Sequence, residues 1–552
     1  MTLLPKPFRL LVQTLMLLGA AVFFALHFTH LAADFPNFSP WMDWSKYTDE
    51  GWYGDAAIRH YQLGHWYVPG DFNPAAALPV WPLLEAILFR FTGVSLVAVR
   101  ALTVSVFGGI LIASFLLLRR WASLRGSTLA PYAAILLLAV SPFCFVFTRM
   151  GILEPLLVLL TLLALLAASH VTHLRPPTGH WKQDLIQSIR PNLLPLLALA
   201  VLLPAIILTK TTGLFLVPAI AFLVFAALDY HVLPFLRVSI PTVALAILIW
   251  LAYFVGVVRP HYLLDYRYLF SANAYTQITL ATATTVLSDT FKDGNWMGKI
   301  LFPTAVACIA VSAIFFTRLR RHPLIPALLL WALGYAAFLA YHDNLQPRYY
   351  LVVAVPLTLL IPVVIEELIL TRIRANTPRY LTLAAAAALI LTITIPQAHE
   401  TLHYVRHPEY TLLDAFHQVH DIIVADHNQN PDHNPLVLSI SGSDLSLATG
   451  LPSICDDFGT LELEDRVKKY RPGWYLTWNK IEDDKMDALD PTFQPERVAT
   501  IPAMDDPDRN LLILYRLNPT DVTPPTPGKH KPTPRNLRTK VGQQPSTRQL
   551  EH

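Results

Sequence analysis

Long apolar runs recur along most of this chain, and they constrain its fold more than any other feature. The first extends from Leu10 to Phe28, and others of similar length follow as far as residue 396. A bilayer core needs roughly 20 apolar residues per helix, so runs of this length predict membrane-spanning helices. The first run exceeds the core of about 7–15 residues in a signal peptide, so it is expected to be a span. We predict about eleven spans, near residues 10–30, 98–118, 129–147, 153–170, 193–209, 213–228, 238–257, 300–317, 323–341, 349–366 and 380–396.

Basic residues are distributed unevenly between the loops that join these spans. With a cytoplasmic N-terminus, the inner loops carry most of them: Lys6, Arg9, Arg119, Arg120, Arg125, Arg175, Lys182, Arg190, Arg237, Arg318, Arg320, Arg321, Arg372, Arg374 and Arg379. The short outer turns carry one each, namely Arg149, Lys210 and Arg348. This asymmetry follows the positive-inside rule. It predicts a multi-pass protein of the cytoplasmic (inner) membrane, with a cytoplasmic N-terminus and an extracytoplasmic C-terminal region.

The loops and the C-terminal region divide the chain further. A membrane domain over residues 1–396 would contain a long first outer loop, 31–97, and a second, 258–299, that could act as a lid. Alternating and helical patterns predict a small α/β domain over 397–519, with the stretch "SGSDLSLATG" as a loop between elements. Residues 520–552 are rich in Pro, Thr and Lys, which predicts a disordered basic tail.

Charged residues at the outer mouths of the spans are the candidates for chemistry. Asp49 and Glu50 stand side by side in "DEGWYGDAA", and Glu154 enters the fourth span close to its outer end. An acid at such a depth is costly unless it is paired or hydrated. A structural interpretation is also open: Asp49 could cap an interfacial helix, and the cations could be anchors at the membrane surface. Three acids and two outer cations, Lys210 and Arg348, on one side of the membrane favour a functional site.

The order of these motifs resembles that of the C-type (GT-C) membrane glycosyltransferases. The matching elements are Asp-Glu-x-x-Tyr after the first span, Thr-Arg-x-x-x-Leu-Glu at the fourth, a lysine in a later outer turn, and Gln-Pro-Arg-Tyr before a late span. Among these enzymes the chain is most similar to the superfamily of protein O-mannosyltransferases and lipid A aminoarabinose transferases. The resemblance covers about residues 5–396 and implies a GT-C fold of about 11 transmembrane helices, with an extracytoplasmic α/β domain following it.

The resemblance also implies roles for individual residues. It makes Asp49 the catalytic base, with Glu50 its acidic neighbour and Glu154 the second acidic position. It assigns the donor phosphate to Lys210, Arg348 and Arg149, and the substrate pocket to Tyr53, Tyr349 and Tyr350. The sequence departs from the family in "NPAAALPVWPLL", which lacks a lysine that relatives often carry, and in Glu154, where many have Asp. No cofactor is assigned, and a divalent metal bridging Asp49 and Glu154 stays open.

The expected reaction follows from where this site would lie. Outside the cytoplasmic membrane no pool of nucleotide sugars is expected, so a polyprenyl-phosphate sugar is the predicted donor. Its phosphate leaves as a stable anion, so one carboxylate base and cations around the phosphate suffice. The predicted activity is inverting transfer to a hydroxyl of a protein, lipid or polysaccharide acceptor, within the lipid bilayer.

Other functions remain open at this point. The alternatives are a transporter or flippase of lipid-linked glycans, a polymerase or ligase with the same donor, and a non-catalytic scaffold that keeps the fold. The net charge of +3 is small for 552 residues, so no nucleic-acid partner is expected.

Overall fold

The structure is a computed structural model that describes residues 6–123, 129–172, 181–272, 279–315, 322–341, 345–372, 376–506 and 509–520. Within these ranges the chain forms a bundle of apolar helices followed by a smaller domain with a β-sheet.

All of the predicted spans coincide with apolar helices. Within the described ranges, six helical segments are long and apolar enough to cross a membrane: Lys6–Leu26, Leu96–Trp121, Trp181–Thr209, Val232–Ser271, Pro347–Glu367 and Leu381–Gln429. Shorter apolar helices occupy the remaining predicted spans, at Ala130–Val140, Leu153–Ser169, Thr211–Ala227, Leu301–Ile314 and Leu324–Ala340. The prediction of a polytopic α-helical membrane protein is therefore confirmed.

The helix Leu351–Arg372 lies at the centre of the bundle. Most of its first 15 residues are buried, whereas the first helix of the chain, Lys6–Leu26, buries only Ala20. A short 3-10 helix, Pro347–Tyr350, precedes the central helix and places Arg348 at its N-terminal end. The central position explains how residues from several helices can contact this end.

The first outer segment is folded rather than extended. It contains a 3-10 turn at Trp44–Lys46 and a helix at Asp49–Leu63, which we call the acidic helix. A second turn, Pro74–Ala76, leads into the helix Val80–Thr92, which packs against the acidic helix. This last helix lies where the broken apolar stretch predicted an interfacial helix, and it buries Trp81 and Phe89.

The second outer segment is also largely helical within the described ranges. A π-helix at Phe254–Tyr262 continues into the helix Leu263–Ala272, and Leu280–Asp293 and the turn Gly294–Met297 follow. Asp265 accepts a hydrogen bond from the amide of Asn73 at 2.9 Å, which ties this segment to the first outer segment. Its role as a lid stays a prediction.

The C-terminal region forms an α/β domain around one sheet. Its strands are β1 (Val437–Leu438), β2 (Ser453–Ile454), β3 (Trp474–Trp478), β4 (Phe493–Pro502) and β5 (Leu511–Pro519), in the spatial order β2-β1-β3-β5-β4. Strand β1 pairs parallel with β2 and β3, whereas β5 pairs antiparallel with β3 and β4. The last apolar helix, Asn376–Arg406, leads into this domain, whose own helices are Thr411–Gln429, Gly442–Thr449, Leu463–Tyr470 and Met486–Leu489.

Two details of this domain differ from the sequence-based expectation. The stretch "SGSDLSLATG", expected to be a loop, contains the helix Gly442–Thr449, which ends at Gly450 with a φ of 83°. Strands β2 and β4 were not predicted: β2 has only two residues, and the charged residues and two prolines of β4 obscure the alternating pattern. The predicted tail lies, from residue 521 onward, outside the described residues.

Candidate active site

The acidic pair lies at the start of the acidic helix. Just before it, the side chain of Asp43 accepts a hydrogen bond from the backbone N–H of Ser45 at 2.8 Å and so caps the 3-10 turn. Asp49 and Glu50 then form the first turn of the helix, where negative charge is favourable. Neighbouring residues of an α-helix diverge by about 100°, so their carboxylates meet different partners.

Asp49 forms an ion pair with Arg348. The Nη2 atom of Arg348 lies 2.7 Å from Oδ2 of Asp49, and its Nη1 atom donates to Asp43. The backbone N–H of Arg348 also donates to Oδ2 of Asp43, at 2.8 Å. Asp49 accepts a further hydrogen bond from the hydroxyl of Thr48 at 2.8 Å. All three charged side chains are buried, so one guanidinium is shared between two carboxylates in a protected site.

Tyr349 joins this ion pair to a second one. The Nζ atom of Lys210 lies 4.0 Å from the centroid of the Tyr349 ring, and the Cζ atom of Arg348 lies 4.8 Å from it. Lys210 forms an ion pair with Glu154, whose Oε2 atom has no hydrogen-bond partner among the described residues. We call Asp49, Arg348, Tyr349, Lys210 and Glu154 the charged cluster. It brings together five of the residues that the sequence analysis selected.

The charged cluster combines the groups that displacement at a phosphate-linked carbon requires. A buried carboxylate can accept a proton, and two neighbouring cations can hold an anionic leaving group. Burial excludes water, which strengthens each of these electrostatic interactions.

Glu50 faces a different set of partners. Its Oε1 atom accepts hydrogen bonds from Nε of Arg100 at 2.9 Å and from the backbone N–H of Gly151 at 2.8 Å. Arg100 also donates to the backbone oxygen of Leu31 at 2.8 Å. Glu50 therefore ties the acidic helix to the helix that carries Arg100 and to the turn before Leu153–Ser169, and among the described residues none of its hydrogen bonds involves the charged cluster. Its predicted catalytic role stays a prediction.

Replacing Glu50 by Gln should destabilise the folded protein by about 3 kcal/mol, because buried Arg100 would lose its counter-charge. The measurement is thermal unfolding of the purified variant in detergent. The accompanying result should be a modest change in turnover per folded molecule. An unchanged unfolding temperature together with abolished turnover would instead support a catalytic Glu50.

Arg149, whose role in binding the donor phosphate stays a prediction, contacts the turn that follows the first helix. Its Nη2 atom donates to the backbone oxygens of Thr29 and His30, each at 2.6 Å, and its Cζ atom lies 4.4 Å from the centroid of the Phe145 ring. Burial, together with nearby Arg100, lowers the pKa of Arg149 to about 9. The structure thus places Arg149 beside the Glu50–Arg100 pair.

The three predicted pocket tyrosines have different surroundings. Tyr349 belongs to the charged cluster, and Tyr53 lies one helical turn after Asp49. Burial and the nearby charge of Asp49 raise the pKa of Tyr53. Tyr350 faces away from the cluster: its hydroxyl donates to Asp293 at 3.4 Å, and its ring lies 5.2 Å from that of Trp296.

Two residues that the sequence analysis did not select complete the site. Asp43 holds Arg348, and Arg100 holds Glu50. The only sequence signal for Asp43 was a single acid among aromatic residues in "PWMDWSKY". Arg100 begins an apolar helix, where a membrane-surface anchor is the ordinary interpretation.

The carboxylates of the cluster do not fit a bridging metal as they stand. Asp49 is paired with Arg348 and Glu154 with Lys210, so an ion between the two acids would adjoin two cations. Within the part of the chain that the structure describes, no group of three His, Cys, Asp or Glu side chains could hold a metal ion.

The helical bundle, the outer acidic helix and the C-terminal α/β domain together define the GT-C fold of polytopic membrane proteins. Two solved structures of ArnT from Cupriavidus metallidurans share it. The apo form aligns with a TM-score of 0.57 at 14% identity, and the form bound to undecaprenyl phosphate with 0.56 at 15%. Each alignment covers 90% of this chain and 97% of ArnT.

An oligosaccharyltransferase has the same fold. AglB from Archaeoglobus fulgidus, in complex with an inhibitory peptide and a dolichol-phosphate, aligns with a TM-score of 0.52 at 14% identity, over 88% of this chain and 71% of AglB. No protein-family model matches the sequence, and no curated protein sequence does. The resemblance to GT-C proteins seen in the sequence motifs is thus confirmed at the level of the fold.

Proposed function

We propose that this protein is an inverting glycosyltransferase that moves a sugar from a polyprenyl-phosphate donor to an acceptor hydroxyl on the extracytoplasmic face of the membrane. The observation that carries the proposal is the charged cluster, in which two buried carboxylates are each paired with a cation on either side of Tyr349. The fold supports it, since ArnT has been solved with undecaprenyl phosphate and AglB with a dolichol-phosphate.

Donor binding would exchange one partner of Arg348 for another. The carboxylate of Asp43 binds both the guanidinium and the backbone N–H of Arg348, whereas Asp49 contacts the guanidinium only. A donor phosphate arriving between Arg348 and Lys210 would compete with Asp49 for the planar fork of the arginine. Asp43 would keep Arg348 in place while Asp49 is released.

The released carboxylate would then act as the base. The acceptor oxygen forms a bond to the anomeric carbon, and the bond from that carbon to the phosphate oxygen breaks. The hydroxyl proton passes to Asp49, and the polyprenyl phosphate leaves as an anion held by Arg348 and Lys210. Attack from the face opposite the phosphate inverts the anomeric configuration.

The first experiment is a transfer assay with the full chain in lipid nanodiscs. Radiolabelled undecaprenyl-phosphate sugars would be offered with candidate acceptors, namely lipid A, peptides and polysaccharide, and the label in each product counted. Transfer to one acceptor supports the proposal and identifies the acceptor class. A parallel assay uses the chain in sealed lipid vesicles, where movement of labelled donor across the bilayer without any transfer would instead indicate a flippase. The absence of both activities would indicate a scaffold.

The pH dependence of turnover should show the titration of Asp49. Burial raises the pKa of Asp49 above its ordinary value, and the charge of Arg348 opposes this shift. A base must be unprotonated, so turnover should be complete above this raised pKa and be lost as the pH falls through it. The loss should therefore occur at a higher pH than the ordinary aspartate pKa of about 4. The residual turnover of Asp49→Asn should lack this acidic limb, and an identical limb in that variant would contradict the assignment.

A further inference from the structure

The acidic helix has no side-chain cap of its own. Its N-cap residue, Thr48, makes no capping hydrogen bond with the described residues; its hydroxyl donates to Asp49. The first N–H groups of an α-helix have no partner within the helix, so they need one from elsewhere.

The missing cap comes from the C-terminal domain. The backbone N–H of Gly51, in the first turn of the acidic helix, donates to the side chain of Asp444. Asp444 lies in the first turn of the helix Gly442–Thr449, which we call the docking helix, and it is 8% exposed. A residue 393 positions further along the chain thus serves as the cap.

The two helices touch so closely at this point that only glycine fits. A Cβ atom on Gly51 would lie 2.1 Å from the carbonyl carbon of Ser443 and 2.4 Å from the backbone nitrogen of Asp444. These are backbone atoms, which cannot rotate away as a flexible side chain could. Any larger residue at position 51 must therefore separate the docking helix from the acidic helix.

Further contacts extend this docking along the acidic helix. The indole N–H of Trp52 donates to the backbone oxygen of Ile440 at 3.0 Å. The side-chain amide of Gln62 donates to the backbone oxygen of Ser446 at 3.1 Å. The hydroxyl of Ser443 donates to Asp55 at 3.2 Å.

A second anchor holds the turn that precedes the acidic helix. The Nζ atom of Lys46 lies 3.0 Å from Oδ2 of Asp506, and the hydroxyl of Tyr47 donates to the same carboxylate. Asp49 therefore lies between two attachments to the C-terminal domain, one through Asp506 and one through Asp444.

We propose that the C-terminal domain positions the base of the membrane domain, with Asp444 as a positioning residue that caps the acidic helix. The inference rests on the proposed function, since it assigns Asp49 the role of base. If the cap is lost, the first turn of the helix frays and the carboxylate of Asp49 leaves its place beside Arg348. The phosphate-binding cations lie on other helices and keep their geometry.

The test compares Asp444→Ala with Asp444→Asn. The alanine variant should lower kcat about tenfold, on the scale of the helix stability that a lost cap costs, with little change in the KM for the undecaprenyl-phosphate sugar. The asparagine variant should retain most of the turnover, because its amide oxygen can accept the same N–H. Gly51→Ala should behave as Asp444→Ala does, whereas Gly256→Ala, where a Cβ meets nothing within 4 Å, should match the wild type.

A readout without catalysis separates this inference from the proposed function. Hydrogen exchange of peptides covering residues 47–55 should be about tenfold faster in Asp444→Ala and near wild type in Asp444→Asn. Wild-type protein that transfers no sugar would refute the function, while the exchange experiment would still test the cap. Unchanged exchange and kcat in Asp444→Ala would overturn the inference, and so would an equal loss in both Asp444 variants.

Discussion

Replacing Asp49 by Asn should lower kcat about a hundredfold to ten-thousandfold while the protein still binds undecaprenyl phosphate. The amide keeps the size of the carboxylate and can accept the hydrogen bond from Thr48, but it cannot take the proton of the acceptor hydroxyl. Arg348 keeps its contacts with Asp43, so the phosphate site is preserved. The measurements are single-turnover transfer and binding of undecaprenyl phosphate to the same preparation.

The matched control is Asp184→Asn. Asp184 is also a buried aspartate in an ion pair, 3.0 Å from Nη2 of Arg237, and it lies in a loop predicted to be cytoplasmic. Its replacement should cost stability without a selective loss of kcat. A parallel loss of phosphate binding and turnover in Asp49→Asn would indicate that Asp49 supports the site but is not its base.

The spans could be predicted from the sequence because length and polarity decide them. A run of apolar residues long enough for the bilayer leaves few alternatives, and each predicted span coincides with an apolar helix. The C-terminal sheet was predictable where apolar strands are central, as in β3, which is buried at every position. The edge strand β4, with Glu496 and Arg497 exposed to solvent, gave no such pattern.

The site was only partly predictable, because its pairing depends on contacts between distant segments. The acids and cations at the outer ends of the spans could be selected by the cost of placing charge there. The pairing of each acid with its cation could not be predicted, because Arg348 pairs with Asp43 and Asp49 across about 300 residues. Nor was a separate partner for Glu50 predicted, and the structure shows that this partner is Arg100.

The contribution of the C-terminal domain had no sequence signal at all. The stretch that forms the docking helix has the composition of a loop, and its cap reaches a backbone N–H rather than a side chain. Gly51 is one glycine among 22, and a glycine is required there because the backbone of a segment 393 residues away leaves no space for a Cβ atom. Contacts of this kind become visible only when both segments are placed in space.

Replacing Arg348 by Lys should weaken the binding of undecaprenyl phosphate about tenfold to a hundredfold and lower turnover at least as much. The positive charge remains, so Asp43 and Asp49 are still compensated and the protein should fold. What is lost is the planar fork, which lets one side chain hold Asp43 and a phosphate at the same time. A lysine offers a single nitrogen, which would stay bound to the two carboxylates and so be less available to the phosphate.

The control for this change is Arg237→Lys, in which a guanidinium that contacts one carboxylate, that of Asp184, becomes an ammonium. It should leave undecaprenyl-phosphate binding unchanged, because one contact does not need a fork.

Lys210 provides the complementary comparison: in Lys210→Met combined with Glu154→Gln, the buried pair becomes neutral and no charge is left alone. If the fork of Arg348 supplies the main phosphate contact, this double variant should bind more tightly than Arg348→Lys. The reverse order would place the phosphate on Lys210 and leave Arg348 to orient Asp49.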